Sequence, residues 1–139
     1  MTYLFDTNAI SELTKDRANA SALAWLDACP SEQSFLSTIS IAEISYGIER
    51  LAPGSRADKL TRWRDRLIIT LGPRLLPVDA LVALAQARIR RASENARRTI
   101  PIMDAFLAAT AEVHGLTLVT RNVRDFEAWG GPVFNPWSD

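Results

Sequence analysis

The chain has 139 residues, 47% of them hydrophobic and 23% charged, a composition that suits one soluble globular domain with a real buried core. Sixteen basic residues balance sixteen acidic ones, so net charge points to no partner. A single cysteine, Cys29, excludes an internal disulfide and a cysteine-built zinc site and fits a reducing cytoplasm, while no apolar run approaches the roughly 18 residues of a membrane span and the start lacks a basic and apolar leader.

The opening Thr2-Tyr3-Leu4-Phe5 reads as a strand ended by Asp6. Asn8 to Leu13 reads as a helix start, and Ser21 to Ala28 as a second short helix stopped by Pro30. Ser34 to Ser37 predicts a second strand. Ile41, Ile44, Ile48 and Leu51 then recur at helical spacing until Pro53-Gly54, and Ser40 with Glu43 forms a capping box in the first turn. Arg56 to Leu67 is a charged helix with Leu60, Trp63 and Leu67 on one side. Leu75-Leu76-Pro77-Val78 predicts a third strand, after which Asp79 caps a long helix bearing Leu81, Leu84, Ala85, Ile89 and Ala92.

Pro101 suits a first helical turn and Gly115 a helix end, with the core stripe between them at Ile102, Phe106, Ala109 and Val113. A strand at 116–120, a short helix through Trp129, a break at Gly130-Gly131-Pro132 and a last strand at Val133-Phe134 complete the chain. Apolar strands of four or five residues alternating with helices predict a parallel sheet covered on both faces.

Acidic residues stand at the edges of these apolar segments. Asp6 follows the first strand, Glu43 the second, and Asn122 and Asp125 the strand at 116–120; Asp104 interrupts an apolar helix beside the small residues Ala108 and Ala111. In such sheets ligands bind beyond the carboxyl ends of the strands, so these side chains are expected to converge on one rim. Each has a structural role open to it as well. Asp6 and Asp125 could cap helices, and Glu43 could complete its capping box. Gathered together the carboxylates would repel one another, and a hard divalent cation such as Mg2+ or Mn2+ relieves that repulsion through oxygen ligands and water. The one histidine, His114, sits at a helix end, and no P-loop, Gly-x-Ser-x-Gly or Gly-x-Gly-x-x-Gly occurs.

At Asp6-Thr7-Asn8, Ala42-Glu43, Asp104-Ala105 and Thr120-Arg121-Asn122 the chain resembles the PIN-domain nucleases, and more narrowly the VapC toxins of bacterial toxin–antitoxin pairs, including their FitB-like branch. The resemblance runs from the opening Leu-Phe-Asp-Thr-Asn to Phe134-Asn135-Pro136-Trp137. It implies a three-layer α/β sandwich around a mainly parallel sheet of about five strands, an Mg2+- or Mn2+-dependent endoribonuclease, and a VapB-like antitoxin as partner. A homodimer within a larger toxin–antitoxin assembly is also expected. By position Asp6, Glu43 and Asp104 match the acids around the metal, and Thr7, Asn8 and Thr120 the polar residues that brace them. The fourth acid departs from the pattern: Asn122 stands where some relatives carry Asp, which makes Asp125 the candidate fourth carboxylate and Asn122 a neutral ligand or hydrogen-bonding partner.

RNA needs a positive path to such a centre. Arg91, Arg97 and Arg98 precede the Asp104 helix, and Arg121 and Arg124 lie in the acidic loop; these are the candidate phosphate contacts. Around Ile44 to Leu67, an apolar mix of Tyr46, Ile48, Leu51 and Trp63 is expected to be exposed, and the resemblance implies that such a surface meets the antitoxin or a second subunit. Alternative readings are a non-catalytic PIN-type module that binds nucleic acid and a DNA-directed nuclease. A haloacid-dehalogenase-type phosphotransferase would want an acid at Asn8.

Overall fold

Alternation of apolar side chains along each strand buries both faces of the sheet. In the computed structural model, which describes residues 1–137, Leu4 and Leu118 face one core while Phe5 and Val119 face the other. The strands are β1 (Tyr3–Phe5), β2 (Ser34–Ser37), β3 (Leu75–Leu76), β4 (Thr117–Val119) and β5 (Val133–Phe134). They lie in the order β3-β2-β1-β4-β5, and every pairing is parallel. Parallel neighbours need crossovers, and helices supply them.

On one face pack α1 (Thr7–Ser11), α2 (Ala20–Ala28), α3 (Thr38–Glu49) and α4 (Ser55–Leu71), around a core of Ile10, Leu26, Leu36, Ile44, Ile48 and Trp137. The opposite face carries α5 (Ala80–Asn95) and α6 (Ile102–His114), whose Val82, Ile89, Leu107 and alanines enclose Leu4 and Leu118. This is the expected three-layer sandwich. Helices α5 and α6 both end at a residue with positive φ. Gly115 has φ 65°, and the Leu116 amide then donates to Ala111 O at 2.8 Å, closing α6. At the end of α5 the left-handed residue is Arg97, φ 58°, with its amide on Glu94 O at 3.0 Å and that of Arg98 on Ser93 O at 2.9 Å.

Several expectations need correction. The N-cap of α3 is Ser37, whose hydroxyl accepts from the Ile39 amide at 3.0 Å; Ser40 is inside the helix and fully buried, so Glu43 is in the second turn and makes no capping box. Strand β3 stops at Leu76, because Pro77 has no amide to give the ladder. The charged helix runs on to Leu71, and the turn after β4 is a short 3-10 helix at Val123–Phe126 that ends before Trp129. Ile102, Leu81 and Leu84 are exposed, and Ile48 is buried.

Candidate active site

The rim is set by where the connections change direction. From β1 the chain crosses to β2 and β3 on one side, then to β4 and β5 on the other, so the β1/β4 boundary is the topological switch point of the sheet. Asp6 leaves β1 there and Thr120 leaves β4. The Asp6 amide donates to Val119 O at 3.0 Å, which ties the two strand ends together. Asp6 is buried and caps α1: its Oδ1 accepts the Ala9 amide at 2.7 Å. Burial raises its pKa above the ordinary value, a hydrogen bond from fully buried Thr120 and the Ala9 amide pull the other way, and the charge of Glu43 adds to the rise.

Glu43 projects from α3 toward α1. Thr7 Oγ1 donates to Glu43 Oε1 at 2.6 Å and lies 3.0 Å from Ser40 Oγ. A hydroxyl has one proton, and the charged acceptor at the shorter distance holds it. Asp104, in the first turn of α6, is half-buried and has its pKa pushed up to about 6, first by desolvation and then by Asp125, Glu43 and Asp6 in that order. Four carboxylates from four segments thus share one electrostatic field. Asp125 is exposed in the 3-10 turn, whose start is fixed by the Asn122 amide on Thr120 Oγ1 at 3.0 Å. Asn122 and Asn8 are exposed.

The donor set suits a hard cation in one particular way. Among the described residues no three Asp, Glu, His or Cys side chains form a group that could hold a metal ion as they stand. Mg2+, however, keeps several of its waters and binds through one or two carboxylates, and an open set of acids in which Asp6 and Asp104 have raised pKa values fits that mode.

The arginines divide. Arg98 and Arg124 line a cleft of about 560 Å³ together with Asp125 and Glu127. Arg91 is paired with Glu94 on its own helix at 3.3 Å. Arg121 acts on a carboxylate that sequence reasoning passed over. Glu12 is buried, accepts the Asn19 amide at 2.7 Å and pairs with Lys15 at 2.9 Å. Burial alone would raise the Glu12 pKa; the Asn19 amide, Lys15 and Arg121 outweigh it and hold the acid below its usual range. Its only sequence signal is Lys15 three residues on.

Residues 3–130 match the PIN domain. The chain belongs to the PIN-domain family. Toxin FitB of Neisseria gonorrhoeae is 38% identical over 137 residues, covering 98% of this chain and 99% of that protein. A VapC ribonuclease of Sinorhizobium fredii is 34% identical over 135 residues, 96% of each. The crystal structure of FitAcB from Neisseria gonorrhoeae superposes with a TM-score of 0.93 at 36% identity, covering 99% of this chain and 100% of that chain. In this PIN domain Thr7 hydrogen-bonds to Glu43 and Thr120 to Asp6, and Ser40 stands behind Thr7 as a buried polar contact that its resemblance to a cap had hidden.

Proposed function

We propose that this PIN domain is the toxin of a type II toxin–antitoxin pair and works, as one unit in the cytoplasm, as an endoribonuclease that uses Mg2+ or Mn2+. The observation that carries the reading is the coupling of Asp104 to Asp125, Glu43 and Asp6 at the switch point of the sheet. Bound there, the cation would supply an activated water and charge stabilisation at phosphorus.

The chain's own residues do the positioning. Asp6 and Asp104 are the direct ligands, each aimed by its place at a helix start: one by the Ala9 amide and Thr120, the other by the first turn of α6. Glu43, held by Thr7, would orient the attacking water or hold a second ion, and Asp125 would contribute through water, with Asn122 as the neutral group beside it. Arg98 and Arg124 line the path for the phosphate backbone. The antitoxin is a VapB-like protein. A groove of about 270 Å³ that starts at Glu43 and passes Ile48, Leu51, Leu60 and Trp63 between α3 and α4 offers it an apolar seat. The toxin acts as a homodimer within that assembly, and no described helix is long and apolar enough to cross a membrane.

The test is cleavage of a single-stranded RNA and a matched DNA by the purified chain with Mg2+, with Mn2+ and with a chelator. Cleavage of RNA alone, lost with the chelator and reduced at least about 100-fold by Asp6→Asn or Asp104→Asn in folded protein, is the expected result. Full activity in either variant rejects the assignment. The second reading, a non-catalytic module, is favoured by the open spacing of the acids; RNA binding without cleavage under every metal condition would establish it. Cleavage of the DNA instead would make the domain DNA-directed.

A further inference from the structure

The cleft beside Asp125 carries two charges of each sign. Arg98 and Arg124 are offset by Asp125 and Glu127, with Thr99 and Ala128 completing the walls. Glu127 is not held in a core. It is exposed, follows the 3-10 turn, and pairs with Arg98 Nη1 across the cleft mouth, from the loop ahead of α6 to the loop after β4. The backbone makes this encounter repeatable: the left-handed turn at Arg97 fixes the direction of Arg98, and the Ile100 amide on Ser93 Oγ at 3.2 Å braces the far side of the loop.

We propose that Glu127 sets how strongly the domain takes RNA, by competing with a backbone phosphate for Arg98. The inference rests on the ribonuclease reading and goes beyond it. A metal-bound centre accounts for Asp125; nothing in that chemistry uses Glu127, which lies two residues farther along and faces the arginine. An exposed Arg–Glu pair is worth little and is readily exchanged, so it cannot serve to fix Arg98 in place. What it does supply is a full negative charge at the entrance to a polyanion's path. Entry of RNA exchanges the carboxylate for a phosphodiester oxygen on the same guanidinium, and Arg98 then neutralises one more phosphate than the resting cleft allows.

The test is binding of a short single-stranded oligoribonucleotide to the full chain carrying Asp104→Asn, which prevents turnover, across a series of salt concentrations. Glu127→Gln should tighten binding about two- to fivefold, the range an exposed pair provides, and steepen the salt dependence by about 0.7 in the log–log slope. In an Arg98→Gln background the same change should have no effect on the slope. Unchanged or weaker binding by Glu127→Gln overturns the proposal, as does equal tightening with Arg98 absent, which would reduce Glu127 to a general repulsive charge. If the chain with Glu127 and Arg98 intact fails to bind RNA at all, the ribonuclease reading falls and this inference with it. If this chain binds RNA and the chain with Asp104 intact cleaves it while Glu127→Gln is silent, this inference alone falls.

Discussion

Asp6 engages Oδ1 with the Ala9 amide and also receives the Thr120 hydroxyl, so two of its acceptor positions are already filled and the rest are left for a metal. The capping role is observed, and the proposed ligand role is compatible with it in one side chain. Glu43 is positioned by a contact that crosses between helices, and that contact is testable. Thr7→Val keeps the shape of the residue and removes the 2.6 Å hydrogen bond to Glu43. RNA cleavage should fall about tenfold in kcat with little change in KM, the usual cost of losing a partner that orients a metal-site carboxylate. An equal loss in a Glu43→Gln background would show that Thr7 acts elsewhere. The Ser40–Glu43 pattern misled because Ser37 and Ser40 both stand before the same apolar run. Pairing of Ser37 with Leu76 in the sheet settles which one begins the helix, and that pairing is tertiary.

At the level of elements, strand and helix order was readable from apolar spacing and from Pro and Gly, and the order of the acids along the chain came with it. Which apolar side of α5 faces inward was not. Val82, Ala85 and Ile89 meet the sheet, whereas Leu81 and Leu84, on an adjoining stripe of the same helix, are 63% and 70% exposed. Periodicity finds a stripe but cannot choose between two. The two left-handed helix ends also differ in a way composition hides. Gly115 meets its positive φ without cost, whereas Arg97 carries a Cβ there. Arg97→Gly should therefore stabilise the chain by about 0.5–1 kcal/mol, and Gly115→Ala should destabilise it by about 1 kcal/mol, both readable from denaturant midpoints. A destabilised Arg97→Gly variant would mean that the arginine side chain anchors the loop.

Across the whole molecule, the acid ring links stability to pH and to metal. Asp104 has a folded pKa of about 6 against an ordinary 3.8, so the folded chain holds this proton more tightly than the unfolded one. Its effect on stability is nil below 3.8, grows as a cost between 3.8 and about 6, and is constant above. With solvent screening of the half-exposed group discounted, that cost is about 1 kcal/mol. Asp104→Asn should accordingly raise the Tm of chelator-treated protein by about 2–4 °C near pH 7.5, with a clearly smaller gain near pH 4.5. Mg2+ should raise the Tm of the unsubstituted chain more than that of the variant. A variant that melts lower than its parent at the higher pH would contradict the repulsive origin of the shift.

The pairing of the first strand with the fourth also has a bearing on synthesis. Tyr3 aligns with Thr117, and the Asp6 amide is anchored on Val119 O. A polypeptide halted between residues 104 and 117 contains Asp6, Glu43 and Asp104 in sequence yet has no β4 to bring the first of them to the rim. The proposed nuclease therefore cannot assemble its rim until residues 117–119 have been made and paired with the first strand.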